Sequence, residues 1–135
     1  MVNNLGELTV LIDGVKTTFL KYPFRILEDF VDADGIKLLS IPELAATKAY
    51  TIGRRRELKD YVDLYFALKG VYVSLPKIIE IAGYKYQDEF NARLFLEQLV
   101  TTADVPEMDI TFLKSRPSRH DMQSFFDSEV ENIVL

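Results

Sequence analysis

The sequence contains no cysteine and only one histidine, His120, among its 135 residues. The absence of thiols excludes a disulfide scaffold, a zinc cluster built on thiolates and a cysteine nucleophile. No serine lies in a nucleophile motif with His120, and no glycine-rich loop of the kind that cradles phosphate is present. The sequence therefore offers neither a catalytic triad nor a P-loop.

Long apolar segments are missing as well. No stretch approaches the roughly 20 apolar residues that a membrane-spanning helix requires. The residues from Met1 to Glu7 lack the basic region and apolar run of a signal peptide. The net charge of -5 makes the chain a poor general nucleic-acid binder, although a local basic patch can still act. We expect a cytoplasmic protein with no membrane partner.

What is present suffices for one globular domain. Hydrophobic residues make up 48% of the chain and charged residues 27%, close to the average of folded domains. A length of 135 residues also fits a single domain with its own core. We expect one domain over residues 1–135, with a β-rich segment at 1–39 and a helical segment at 40–135.

A β-hairpin is predicted near the N-terminus. Two runs rich in β-branched and apolar residues, Leu8–Ile12 and Val15–Leu20, flank the dipeptide Asp13-Gly14. Asp-Gly is a preferred two-residue hairpin turn because both positions tolerate positive φ. A short third strand is predicted at Ile36–Leu39, after a turn at Asp34-Gly35.

Helical patterns fill the rest of the chain. The first helix begins at Ser40, which has capping-box spacing to Glu43, and ends at Gly53. Periodicity and capping residues predict further helices at about 57–69, 75–82 (closed by Gly83), 88–101 and from 118 onward. Strands first and helices afterwards predict an α+β fold, in which a small antiparallel sheet precedes a bundle of about five helices.

Lys48 lies inside the apolar stripe of the first predicted helix. Ile41, Leu44, Ala45 and Ile52 share its face at steps of three and four residues. A lysine in this position can run its stem along the edge of the core and keep its ammonium in water. The alternative is a cation that points into a cleft and holds a phosphate as a point charge.

Two acids, Asp60 and Asp63, lie mostly opposite the apolar face of the second predicted helix. One interpretation is a solvated acidic face. The other makes Asp60 a partner for Lys48, or a base across the cleft between the two helices. Two acids three residues apart can share a metal, but nothing nearby supplies more ligands, so no metal site is predicted.

Three consecutive arginines, Arg54, Arg55 and Arg56, close the turn between these helices. In an acidic protein they concentrate positive charge, which makes them candidates for a phosphate or nucleotide contact. A solvated polar turn accounts for the same residues, and the helix dipole favours one arginine near a helix C-terminus.

The segment from Ser40 to Leu68 resembles the second half of the AbiEii/AbiGii-type nucleotidyltransferase toxins. That family shows the pattern D-I-A-A-x-K, an arginine and K-D-x-x-D-L-Y-F. This chain has Pro-Glu-Leu-Ala-Ala-Thr-Lys up to Lys48, the arginine turn, and Lys-Asp-Tyr-Val-Asp-Leu-Tyr-Phe from Lys59. The hairpin before this segment and the helices after it are also similar to the family, so the resemblance covers nearly the whole chain.

The resemblance implies roles for the charged residues. Lys48 and Asp60 would be the catalytic residues, Lys48 in contact with nucleotide phosphate and Asp60 supporting the site or the acceptor, with Asp63 in a supporting position. The family also holds magnesium with a pair of acids that follow a Gly-Ser or Gly-Gly turn. Neither element precedes the hairpin here, and Thr17 and Thr18 occupy the strand where a third acid often lies.

We therefore expect a truncated, toxin-like nucleotidyltransferase that is inactive alone. Phosphoryl-transfer chemistry needs oxygen ligands that place a metal ion between phosphates, and Lys48 with Asp60 cannot do this. No cofactor is expected for the chain by itself. Magnesium and a nucleoside triphosphate would bind if a partner chain supplied the missing half of the site.

A second hypothesis is a non-catalytic interaction module of a toxin–antitoxin or phage-defence system. A small sheet with open strand edges is a template for pairing, either with a partner chain, with an antitoxin or with a second copy of the protein. The resemblance also suggests RNA, tRNA in particular, as an acceptor.

Overall fold

The computed structural model describes residues 1–135 and contains two β-hairpins followed by five α-helices. The strands are β1 (Glu7–Ile12), β2 (Val15–Leu20), β3 (Val31–Ala33) and β4 (Ile36–Leu38). The helices are α1 (Ile41–Ile52), α2 (Leu58–Lys69), α3 (Leu75–Tyr86), α4 (Ala92–Leu99) and α5 (Arg119–Glu131). Single 3-10 turns lie at Gln87–Glu89 and Thr102–Asp104. The predicted α+β fold is confirmed.

The first hairpin forms at the predicted turn. In the dipeptide Asp13-Gly14 the φ angles are 49° and 78°, the left-handed values that a two-residue hairpin turn of type I′ requires. Leu8 pairs with Phe19, and Ile12 pairs with Val15, on one face of the hairpin. All four of these apolar side chains are exposed. The hairpin therefore presents an uncovered apolar face.

The second hairpin was predicted only in part. β4 confirms the strand after Asp34-Gly35, but its partner β3 was not predicted. β3 has only three residues, of which Asp32 and Ala33 are poor strand formers. It is therefore too short to show an alternating hydrophobic pattern, and its composition does not favour a strand. The two hairpins form separate two-stranded sheets.

Helix α1 is central to the helical part and contacts α2, α3 and α4. Its buried face carries Ala45, Ala46, Ala49 and Ile52, and the small side chains of the three alanines allow close packing of the neighbouring helices. All five helices contribute to a core of 18 buried apolar residues. None of the helices combines the length and the apolarity that crossing a membrane would require.

The third predicted helix was too short. α3 continues through Gly83 to Tyr86, which is buried. A glycine in a helix costs only about 1 kcal/mol relative to alanine, which is too little to end a helix whose later residues pack into the core. The chain leaves α3 at Gln87, which adopts a φ of 48°.

The fourth predicted helix began too early. Residues 88 and 89 belong to a 3-10 turn, and α4 starts after Asn91. The side chain of Asn91 accepts a hydrogen bond of 3.0 Å from the backbone nitrogen of Leu94, so Asn91 is the N-cap. The last helix starts at the predicted place, with Ser118 as its N-cap.

Candidate functional site

The turn of residues 53–57 folds α2 against α1 and brings Lys48 of α1 close to Asp60 and Asp63 of α2. Lys48 Nζ donates a hydrogen bond of 2.9 Å to Asp60 Oδ1 and lies 2.9 Å from Asp63 Oδ2. The spacing of three residues on α2 places both carboxylates on the same ammonium. The predicted partnership of Lys48 with Asp60 is confirmed as a contact.

Asp60 is the buried centre of this cluster. Its side chain has 0% exposure, and its second oxygen, Oδ2, accepts a hydrogen bond of 3.2 Å from Arg55 Nε. A cation on each oxygen compensates the loss of water around a buried carboxylate. The solvated acidic face is therefore wrong for Asp60, because α1 and the turn cover the side of α2 that the helical wheel assigned to solvent.

Asp63 differs from Asp60 in exposure and in the number of its partners. Its side chain is 55% exposed, and its ion-pair partner is Lys48 alone. The Lys48–Asp63 contact can therefore exchange with solvent, whereas the Lys48–Asp60 contact is fixed by burial.

The Lys48 ammonium is held as a cation. Burial by itself lowers the pKa of Lys48, but the hydrogen bonds and negative charges of Asp60 and Asp63 outweigh burial and raise the pKa above its usual 10.5. Lys48 thus donates protons in hydrogen bonds at neutral pH and does not act as a base. Lys48 pairs with both Asp60 and Asp63, and Arg55 pairs with Asp60 and with Glu57. An anion at Lys48 must compete with Asp63.

The three arginines point to three different places. Arg54 lies over the ring of Tyr50, with its guanidinium carbon 3.9 Å from the ring centroid. Arg56 donates a hydrogen bond of 3.0 Å to the carbonyl oxygen of Thr101. Only Arg55 joins the cluster around Asp60. The structure does not gather the arginines into one basic site, and their role as phosphate contacts stays a prediction.

The two acids do not fit a magnesium site. Magnesium needs open oxygen ligands in a near-octahedral arrangement. Both oxygens of Asp60 accept hydrogen bonds from cations, and the ammonium of Lys48 lies between Asp60 and Asp63, where a metal ion would have to bind. No three His, Asp or Glu side chains come together elsewhere in residues 1–135, and His120 is an exposed residue of α5.

A cleft of about 460 Å³ opens between α1 and α2, next to Lys48 and Asp63. The rest of its lining is mostly apolar. The cluster therefore lies at the polar end of a cleft, and the arrangement suits a ligand that accepts hydrogen bonds from the ammonium of Lys48.

Sequence reasoning missed a second buried ion pair. The side chains of Glu43 and Lys85 are both completely buried and contact each other. Glu43 Oε2 also accepts hydrogen bonds from the backbone nitrogens of Leu27 and Glu28, at 3.3 and 3.0 Å. Lys85 Nζ donates a hydrogen bond of 3.0 Å to the carbonyl oxygen of Arg25. The pair anchors the segment between the two hairpins to α1 and α3.

The signal for this pair was present in the sequence. Lys85 follows Ile78, Ile81 and Ala82 at helical spacing, just as Lys48 follows the apolar residues of α1. Ending the helix at Gly83 removed Lys85 from that stripe. The capping box was half right, since Ser40 Oγ accepts a hydrogen bond of 3.3 Å from the nitrogen of Glu43. The carboxylate of Glu43 binds Lys85 instead of returning to Ser40.

Comparison with known proteins finds one relative and no solved structure. An uncharacterized protein of Aquifex aeolicus (strain VF5), aq_aa25, is 25% identical over 129 residues, which are 94% of this chain and 61% of that relative. The chain thus spans less than two thirds of the length of the relative that it matches.

The family comparison covers every strand and helix of the chain. The sequence model of the family described as nucleotidyl transferase AbiEii toxin, type IV TA system, matches residues 3–132. That range includes both hairpins and all five helices. The chain belongs to the nucleotidyl transferase AbiEii toxin family of type IV toxin–antitoxin systems.

Proposed function

We propose that this chain is a component of a nucleotidyltransferase toxin and that it holds the phosphates of a nucleoside triphosphate at Lys48. The observation that carries the proposal is the ammonium of Lys48, fixed by the buried Asp60 at the polar end of a cleft. The family resemblance assigns a phosphate contact to the lysine at this position. An ammonium with a raised pKa stays charged throughout the physiological range and attracts phosphate oxygens.

Asp60 acts in this proposal as a positioning residue. Each of its oxygens accepts a hydrogen bond from a cation, Lys48 or Arg55, and its complete burial keeps it from taking a proton from an acceptor in the cleft. Asp63 is the exchangeable partner of Lys48. A phosphate group would displace the exposed carboxylate of Asp63 and leave the buried contact with Asp60 in place.

We further propose that the metal-binding acids come from a partner chain and that this chain alone has no transfer activity. The uncovered apolar face of the first hairpin, which includes Leu8 and Phe19, and the open strand edges are suited to docking such a partner. Magnesium and the nucleotide would then meet in the completed site. An antitoxin as regulator and an RNA acceptor follow from the family and are part of the proposal.

Binding of inorganic tripolyphosphate to the purified chain tests the phosphate site. Calorimetry should detect binding to the wild type and a loss of binding in Lys48→Met. Lys69→Met is the matched control, because Lys69 is an exposed lysine on the same helix that lies over the ring of Phe125, away from the cluster. Equal binding by wild type and Lys48→Met would refute the proposed role of Lys48.

Incorporation of labelled nucleoside triphosphate with magnesium tests the partner requirement. The chain alone should give no turnover above background. Robust turnover that disappears in Lys48→Met would support the role of Lys48 and contradict the need for a partner.

The second candidate function is a non-catalytic interaction module, and the exposed apolar hairpin face favours it. A module of this kind forms a stable complex with a partner chain or with a second copy. Lys48→Met and Asp60→Asn would leave that complex intact, whereas Phe19→Ser in the hairpin would weaken it. Light scattering after size exclusion distinguishes the monomer from the dimer.

A further inference from the structure

The cleft beside Lys48 has two chemically different ends. Its volume of about 460 Å³ and its mostly apolar lining are typical of small-molecule sites. Lys48 and Asp63 form the polar end, and Ile41, Leu44, Phe66 and Tyr72 line the apolar part. Lys48 is seven positions after Ile41 on α1, which corresponds to about 10 Å along a helix. The cleft is therefore long enough for a ligand with one anionic end and one apolar end.

Two aromatic rings in this cleft remain open to solvent. Phe66 is 41% exposed and Tyr72 is 63% exposed, although both belong to the lining of the cleft. Rings that are not buried in the core are available for stacking against a planar ligand.

The backbone is strained at Val71, the residue directly before Tyr72. Val71 adopts a φ of 59°, a left-handed value that is rare for a β-branched residue. The nitrogens of Val71 and Tyr72 donate hydrogen bonds of 3.0 and 3.1 Å to the carbonyl oxygens of Leu68 and Ala67. This is the Schellman arrangement, in which the position of Val71 is normally taken by glycine. Strain of this kind persists where a function or its surroundings require it.

Gly70 supports the same placement. A Cβ atom at Gly70 would lie 2.4 Å from Cε2 of Tyr72, so a larger residue at position 70 would displace the ring of Tyr72 from the end of α2. The helix end thus combines a strained Val71 with Gly70, which leaves room for the ring of Tyr72 beside the cleft.

We propose that the apolar part of the cleft binds the nucleobase of the nucleotide whose phosphates Lys48 holds, with the base against Phe66 and Tyr72. The inference rests on the proposed function for the phosphate end. Every base has a π face, so aromatic rings bind bases with little sequence preference. The apolar part of the cleft should therefore make a nucleotide bind more tightly than a polyphosphate without a base. It should not discriminate between different bases.

Calorimetry on the full chain with three probes tests the inference. The probes are inorganic tripolyphosphate, a nucleoside and the corresponding nucleoside triphosphate. The triphosphate should bind the wild type more tightly than tripolyphosphate does. Tyr72→Leu and Phe66→Leu should each bind the triphosphate about tenfold more weakly, the loss expected when a stacking ring is removed. Their affinity for tripolyphosphate should stay unchanged.

Tyr84→Leu is the matched control, because Tyr84 is 72% exposed and lies on α3 outside this cleft. It should bind all three probes like the wild type. Tyr72 is largely exposed, so circular dichroism should show that Tyr72→Leu is folded; Phe66→Leu gives an independent test if it is not.

The two proposals fail in different ways. If tripolyphosphate binds equally well to the wild type and to Lys48→Met, the proposed phosphate contact of Lys48 is refuted. Binding of the nucleoside to the wild type and to the two aromatic variants then still tests the base site. If the wild type binds tripolyphosphate and the nucleoside triphosphate equally tightly, or if neither aromatic variant weakens the triphosphate, the base site is overturned.

Discussion

Arg55 Nε donates a hydrogen bond of 3.2 Å to Oδ2 of Asp60, the carboxylate oxygen that Lys48 leaves open. The buried carboxylate of α2 is thereby tied to α1 through Lys48 and to the interhelical turn through Arg55. The centre of the candidate site is consequently also a fixed point of the fold. Stability measurements on this cluster should separate structural contacts from exchangeable ones.

Asp60→Asn should destabilise the chain far more than Asp63→Asn does. Asp60 is completely buried between two cations, so removal of its charge should lower the free energy of unfolding by about 3 kcal/mol. Asp63 is mostly exposed with one partner, and its loss should cost no more than about 1 kcal/mol. Urea denaturation of both variants measures the difference, and equal costs would show that burial does not distinguish the two acids.

Asp63→Asn should bind tripolyphosphate more tightly than the wild type does. Asp63→Asn removes one of the two negative charges at the Lys48 ammonium and leaves the buried Asp60 as its only acidic partner. The gain should be a fewfold change in Kd, and it should shrink as salt is added because the site is open to solvent. An unchanged or weaker Kd would mean that Asp63 does not compete with the anion.

The raised pKa of Lys48 predicts a loss of stability at alkaline pH. The unfolded chain loses this proton near the usual value of 10.5, while Asp60 and Asp63 keep it on the folded chain to higher pH. The contribution is therefore fully present below pH 10.5 and is lost as the pH rises through the folded-state pKa. Urea denaturation from about pH 9 to about pH 11.5 should show that the difference in the free energy of unfolding between the wild type and Lys48→Met becomes smaller. A difference that stays constant would contradict the raised pKa of Lys48, since the other titrating groups are common to both proteins.

The structure could be predicted most accurately from the sequence where a single local feature, such as a turn dipeptide or a capping residue, determines it. Asp13-Gly14 determines the first hairpin, and Ser40 and Ser118 cap the helices that they precede. Lys48 stood out because a charge interrupts an apolar stripe. The order of strands and helices was enough to predict the α+β class.

Long-range partners could not be predicted in the same way. The helical wheel of α2 assigns Asp60 to solvent, and only the packing of α1 against it turns that face into a buried one. Glu43 fits a local capping role, yet Lys85, 42 positions later, takes its carboxylate. Competition between local and distant partners is decided by tertiary packing, which a single sequence does not report.

The Glu43–Lys85 pair should behave as one unit in a double-mutant cycle. Each side chain is completely buried, so Glu43→Gln or Lys85→Met leaves its partner buried without a counter-charge and should cost about 3–5 kcal/mol. The double variant should cost clearly less than the sum, because it leaves no unpaired buried charge. Additive costs would show that the two residues act independently.

Hydrogen exchange should reveal what the pair anchors. Glu43 accepts the backbone amides of Leu27 and Glu28, so Glu43→Ala should speed exchange at these two amides. Lys85→Met keeps both acceptor contacts and should affect those amides less. Exchange that rises equally in both variants would indicate general loosening instead of release of this segment.

Val71→Gly should stabilise the chain. Val71 holds a φ of 59° at the C-terminus of α2, where glycine adopts the same conformation without steric cost. Relief of the strain outweighs the greater flexibility of glycine in the unfolded chain, so the free energy of unfolding should rise by up to about 1 kcal/mol. Gly70→Ala is the contrasting variant, because its new methyl group would meet the ring of Tyr72 at 2.4 Å. In thermal denaturation, the melting temperature of Val71→Gly should be higher than that of the wild type, and that of Gly70→Ala should be lower. A destabilised Val71→Gly would show that the side chain of Val71 contributes packing that exceeds its backbone strain.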